Sequence, residues 1–234
     1  MSRNAFAAML VALTFALPAS AQEMGDYGDL VMSGEGGGNW AATNPGSTAT
    51  GGYQFIHGTL VDLGFVQAGG STPSKGAGDW ENVVWTGKGG VNSRAEFMAS
   101  KSAQNLALSE LNNTNWASIS SVTPLGQTIN GIAMTQGGAL YAAHMLGSGG
   151  YSKWASCGFQ AYCLDAGIAA AHNWTQEQYQ AHLMGRIAAG GGVDPSLITA
   201  SGYGGALEVE IPEVKLMLWK SPQLTPAVLS GQLE

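Results

Sequence analysis

The sequence predicts a mainly α fold: one helical domain with a loop-rich insertion, followed by an extension of different character. Three observations carry this. Apolar residues recur at helical spacing through most of the chain, glycine-rich stretches separate the periodic segments, and strand-like alternation appears only near the end. With 45% hydrophobic residues the chain can fill a single core. The expected divisions are a leader at 1–21, a domain at 22–190, and a linker with C-terminal extension at 191–234.

The leader, "MSRNAFAAMLVALTFALPASA", has one positive charge at Arg3 and an apolar run from Ala5 to Leu17. Pro18 breaks any helix, and Ala19-Ser20-Ala21 is a small-x-small cleavage site. The run falls short of the roughly 20 residues a spanning helix needs. A secretory signal peptide cleaved after Ala21 is expected, which makes the mature protein periplasmic or secreted. No later stretch is apolar enough for a transmembrane anchor.

"MGDYGDLVMSGE" spaces Tyr27, Leu30 and Val31 as a short helix ending near Gly34, with Glu35 at its C-terminal end. The helix dipole gives a carboxylate no help there, so its pKa is expected to rise. "FIHGTLVDLGF" reads as a second helix with Leu60 and Leu63 inward, and "VQAGGSTPSKGAGD" as a loop. "NSRAEFMASKSAQNLALSELN" is the clearest helix, capped by Asn92 or Ser93, with Phe97, Leu106, Leu108 and Leu111 as apolar positions. "TPLGQTINGIAM" and "TQGGALYAAHMLG" are expected as helices, the second closing on Gly147, and "GGYSKWASCG" as a shorter one. "WTQEQYQAHLMGRIAAGGG" opens with a capping box, Thr175 to Gln178, and ends in three glycines. "GGGVDPSLITASGYGG" reads as a linker. "ALEVEIPEVKLMLWKS" alternates like a strand interrupted by Pro212, an edge strand or an extended tail.

Charge and cysteine usage narrow the chemistry. Sixteen acidic residues stand against nine basic ones, with no Lys/Arg cluster, so neither nucleic acid nor an anionic membrane surface is an expected partner. Cys157 and Cys163, in "CGFQAYC", are expected to form a disulfide in an exported chain; free thiols are the alternative. The histidines, His57, His144, His172 and His182, form no ligand-spaced pair, so no metal site and no cofactor is expected. No G-x-S-x-G elbow occurs, and "WTGKGG" lacks the residues of a phosphate loop. What remains is acid catalysis by a carboxyl group.

"GEGGGNWAATNPGSTATGGYQF" presents one such group, Glu35, among glycines, with the next Lys or Arg only at Lys75. The stretch resembles the active-site region of the lysozyme-like superfamily, particularly resuscitation-promoting factors and lytic transglycosylases. The match falls on Glu35, Gly37, Gly38, Asn39, Trp40, Gly51, Gly52, Gln54 and Phe55. "GALYAAHMLGSGG" is similar to the helix that closes the cleft in transglycosylases, and "WTGKGGVNSRAEFM" resembles lysozyme-like domains of phage-tail and secretion-associated wall hydrolases. The resemblance covers roughly 26–157. It departs from the family at Gly36, where transglycosylases commonly have Ser, and at His144 and Met145, where they usually have Tyr and Asn.

The resemblance implies a helical lysozyme-like domain with a short β-hairpin beside the active-site cleft. It implies a peptidoglycan glycosidase cleaving the bond between N-acetylmuramic acid and N-acetylglucosamine. Glu35 is the implied catalyst, with Trp40, Asn44, Thr50, Gly52, Tyr53, Gln54, Tyr141 and His144 on the substrate. Its partners are glycan strands and a secretion or envelope-spanning assembly; the alternative is a non-catalytic wall-binding module.

Each residue also has a plain structural reading. Tyr53 and Phe55 read equally as core, His144 as a packed histidine, and Trp40, Trp80, Trp85 and Trp154 as sugar platforms or core. The Asp165 and Glu177 region reads as solvated surface. Between Gly36 and Val61 there is no Asp or Glu, which favours a single-acid route to an anhydro product over a two-carboxylate mechanism. A water held by Asn44, Thr48 and Thr50 would give hydrolysis instead. With no cation nearby in sequence, Glu35 is expected to stay protonated in a partly desolvated site.

Overall fold

A computed structural model describes residues 25–70, 72–73 and 80–198. The signal-peptide expectation, part of the 66–79 loop and the alternating C-terminal segment lie outside the described residues. Helices take 57% of the structure and strands 8%, so the mainly-α expectation holds. No described helix is long and apolar enough to cross a membrane.

The chain starts with β1 (Gly25–Asp26) and α1 (Tyr27–Glu35). The Asp26 carboxylate accepts from Asp29 N, and the Leu197 carbonyl accepts from the first two amides of α1. Tyr27, Leu30, Val31 and Met32 face the core. The expected linker departs from that reading at its start: β4 (Val193–Asp194) pairs in parallel with β1, so this stretch ties the two ends of the domain together.

Helix α2 (His57–Asp62) buries Leu60, and Leu63 follows it into the core, as expected. The long helix expected from Asn92 is two. Ser93 caps α3 (Arg94–Ala99), and Ser100 caps α4 (Lys101–Ile119) by accepting from Ala103 N at 3.2 Å. A serine able to bond its own backbone favours a cap over a helix interior. The new register buries Phe97 and Leu108 and leaves Leu106 39% exposed.

"TPLGQTINGIAM" is not a helix. Thr128–Ile129 (β2) and Ile132–Ala133 (β3) form an antiparallel hairpin around Asn130 and Gly131, with φ of 50° and 81°. A two-residue turn with both φ positive is the geometry that Asn-Gly favours, and it outweighs the apolar spacing.

Thr135 caps α5 (Gln136–Ser156), and Gly147 (φ 69°, ψ 161°) breaks it where two helices were expected. Its second part buries Tyr151 and Trp154, and Cys157 at its end is paired with Cys163, Cα atoms 6.4 Å apart. Asp165 caps α6 (Ala166–Ala171), and α7 (Gln176–Ala189) opens with the expected Thr175–Gln178 capping box.

Helix α5 packs on both α4 and α7. The α5–α7 approach is backbone against backbone: a Cβ on Gly138 would lie 2.4 Å from the Ile187 carbonyl oxygen, and one on Gly137 equally close to that of Gly190. Gly138→Ala is therefore expected to cost about 2–3 kcal/mol, since neither backbone can yield easily. Gly191→Ala, whose Cβ meets nothing nearer than 3.9 Å, is expected to stay within about 0.5 kcal/mol of wild type. Chemical denaturation of both variants checks the difference.

Candidate active site

Helix α1 ends at Glu35 because Gly37 and Gly38, with φ of 59° and 82°, turn the chain away; Gly36 and Gly38 donate to the Met32 carbonyl. Facing this end is a tight turn closed by reciprocal bonds between Thr50 and Phe55, each 3.0 Å, with Gln54 at φ 54°. It stands where the resemblance implies a hairpin, and consists of antiparallel bridges rather than extended strands. A Cβ on Gly36 would fall 2.4 Å from the Gly52 carbonyl, so helix end and turn touch through backbone. These glycines serve protein–protein approach. Gly37 differs: beyond its chain neighbours, no atom of the described residues lies within 4 Å of its Cβ position.

Gln104, on α4 and fully buried, holds the turn in place. Its Oε1 accepts from Gly52 N at 2.7 Å, and its Nε2 donates to the carbonyls of Trp40, Phe97 and Met98. Arg94, also buried, donates to the Thr50 hydroxyl and the Ala49 carbonyl, with its guanidinium over Trp80. Neither residue was singled out from sequence.

The Glu35 carboxylate is 19% exposed and meets Arg186 of α7: Nη2 donates to Oε1 at 2.5 Å. The cation that is absent from the sequence neighbourhood arrives from 151 residues away. Burial pushes the Glu35 pKa up, but the charge and hydrogen bond of Arg186, with lesser contributions from His144 and His182, hold it below the ordinary carboxylate value. The expectation of a raised pKa and a protonated resting state is thereby corrected: Glu35 rests ionised. Among the described residues its Oε2 accepts no hydrogen bond, and the side chain keeps its 19% exposure to solvent.

Tyr141 lies beneath Arg186, 4.5 Å from ring centre to guanidinium carbon, and its hydroxyl sits against Gly34. His144 Nε2 lies 3.0 Å from the Tyr53 carbonyl. A carbonyl only accepts, so Nε2 carries the proton and Nδ1, buried without a partner, is a free acceptor. Burial lowers the His144 pKa against the pull of Glu35. The Tyr27 hydroxyl, near Arg186 and Glu35, is also buried without a partner.

The other candidates divide. Trp40 is half-buried, edge-on to Tyr53 with Lys101 over its ring. Thr50 and Tyr53 are fully buried; the Tyr53 hydroxyl donates to Asn105, and only its backbone reaches the site, through His144. Gly52 is buried beneath Met32, and Gln54 folds back on the carbonyls of Gly51 and Ala42. Asn44 is exposed and engaged in its own turn with Gly46. Trp80 and Trp154 are core, and Trp85 packs against the core from its edge. The structure thus gathers Glu35, Tyr141 and His144, adds Arg186 and His182, and leaves Asn44 apart.

Arg186→Met leaves a largely buried carboxylate unpaired and is expected to cost about 3 kcal/mol at neutral pH. A carboxyl with a depressed folded pKa contributes stability above its unfolded value that is lost as pH falls through the folded one. The margin of wild type over Arg186→Met should therefore shrink as pH falls, from the raised Glu35 midpoint of the variant down through the depressed midpoint of wild type. Thermal melts of both proteins from pH 7 to pH 3 check this. No family model, curated protein or solved structure matches the chain.

Proposed function

We propose that the chain is an exported peptidoglycan glycosidase with a lysozyme-like domain, acting through Glu35. One observation carries the reading: Arg186 holds one oxygen of Glu35 and no described residue bonds the other, where the two stretches with the wall-hydrolase resemblance converge. The leader then acts as a secretion signal, and the glycan strand is the substrate.

In this reading the protonated carboxyl donates to the glycosidic oxygen as the bond to the muramoyl C1 breaks. The resulting carboxylate takes the proton of the muramoyl 6-hydroxyl as that oxygen closes on C1, giving a 1,6-anhydro product. No second carboxylate is required. Asp62, the first acidic residue after Glu35, is exposed at the end of α2.

The Arg186 pair opposes the donor step near neutral pH, because it favours the charged carboxyl. A bound glycan would cover Oε2 and oppose that preference by further desolvation. Activity should accordingly rise as pH falls toward the carboxylate range. The same pair favours a second reading, a wall-binding module in which Glu35 never turns over.

Zymograms on peptidoglycan at pH 4.5 and pH 7, with wild type beside Glu35→Gln, separate the two readings. Clearing by wild type alone, stronger at the lower pH, is expected, with anhydromuropeptides one water lighter than reducing-end products by mass spectrometry. Clearing by both proteins removes Glu35 from the mechanism. Clearing by neither, with retention on sacculi intact, supports the binding module.

A further inference from the structure

Arg186 gives Glu35 a direction as well as a counter-charge. Its Nε–H donates to His182 Nε2 at 3.0 Å, Nη1 to the Tyr141 carbonyl at 3.5 Å and Nη2 to Glu35 Oε1. A guanidinium is planar and only donates, so three contacts from three nitrogens define its plane. The Tyr141 ring closes one face of that plane.

The contact to His182 also fixes a tautomer. Arg186 cannot accept, so Nε2 of His182 is the acceptor and its proton sits on Nδ1. That imidazole lies tilted against Trp174, ring centres 4.9 Å apart, and Trp174 stacks in turn on His172 at the same distance. Burial pushes the His182 pKa down to about 4, which keeps the acceptor neutral over most of the pH range. His182 and Arg186 lie one helical turn apart on α7, so the backbone sets their separation.

We propose that Arg186 is the positioning residue of the Glu35 chemistry and that His182 acts through it: together they fix Oε1 and present Oε2 to the substrate. The proposal rests on the reading of Glu35 as the reacting carboxyl. The groups that face Glu35 are Arg186 and His182 from α7, Tyr141 and His144 from α5, and Tyr27 from α1. Among them Arg186 alone is bonded to the carboxylate. Loss of the His182 acceptor loosens the guanidinium and so the Glu35 rotamer, whereas a glutamine at 182 offers an amide oxygen to the same N–H.

The carboxyl titration of Glu35, followed by carbon-13 NMR and assigned against Glu35→Gln, tests this alongside the pH profile of glycan cleavage. Arg186→Met should raise the Glu35 midpoint and the alkaline limb of kcat, where the donor loses its proton, by about 1–3 pH units. His182→Leu should move both in the same direction by less and lower kcat about tenfold with KM nearly unchanged, as expected for lost orientation. His182→Gln should restore both. Equal behaviour of the Leu and Gln variants, or a titration unmoved by either His182→Leu or Arg186→Met, overturns the proposal. If Arg186→Met does not fold, the His182 pair decides alone. An inactive wild type whose titration responds as stated sinks the glycosidase reading and supports control of Glu35 by Arg186.

Discussion

The ion pair between Glu35 and Arg186 is the contact on which the rest of the site depends. It joins the last residue of α1 to the last turn of α7, so it forms only if both helices end at the right depth. Two features set that depth. Helix α1 stops at Glu35 because its glycines turn out of the helix, and α7 is held at contact distance from α5 by Gly137 and Gly138. A methyl group at either interface residue would move Arg186 relative to the carboxylate. Packing of a backbone surface therefore controls the electrostatics of an acid two helices away.

Gln104 plays the matching part on the other side of the site. The turn from Gly51 to Gln54 contains too little regular structure to hold itself, and a fully buried amide supplies what strands would have supplied. Its carboxamide spends both ends on backbone, at Gly52 and at Trp40, Phe97 and Met98. An amide can do this without carrying charge into the core, and leaving it unpaired would be costly. The turn is thereby locked to α4, and His144 can rely on the position of the Tyr53 carbonyl.

Local chemistry in the sequence found what local chemistry decides. The capping box of α7, the end of α1, the break at Gly147 and the Cys157–Cys163 pair all depend on residues within a few positions of one another. The hairpin at Asn130-Gly131, where a helix is expected over "TPLGQTINGIAM", is equally local: its turn needs two positive φ values, which Asn-Gly supplies. Ser100 is a related case: a serine inside a periodic stretch can cap a new helix. Arg186 was invisible to a search for cations near Glu35 in sequence. The available signal lay on α7 itself, where Arg186 falls on the stripe of Tyr179, Leu183 and Ile187 that the helix buries. A charged residue on a buried stripe needs a partner, and the chain has few acids to offer.

Two buried arginines in this fold make the meaning of that partner sharper. Arg94 ties a loop with a hydroxyl, a carbonyl and an indole face, and among the described residues no carboxylate is bonded to it. Burial alone acts on it, lowering its pKa. Arg186 has a comparable set of neutral contacts in His182, the Tyr141 carbonyl and the Tyr141 ring, and has Glu35 in addition. Mechanical anchoring of an arginine in this protein is thus achieved without an acid. The carboxylate at Arg186 exceeds what anchoring requires, and its cost is a charge largely removed from water. That excess supports the proposal that Glu35 is more than scaffolding.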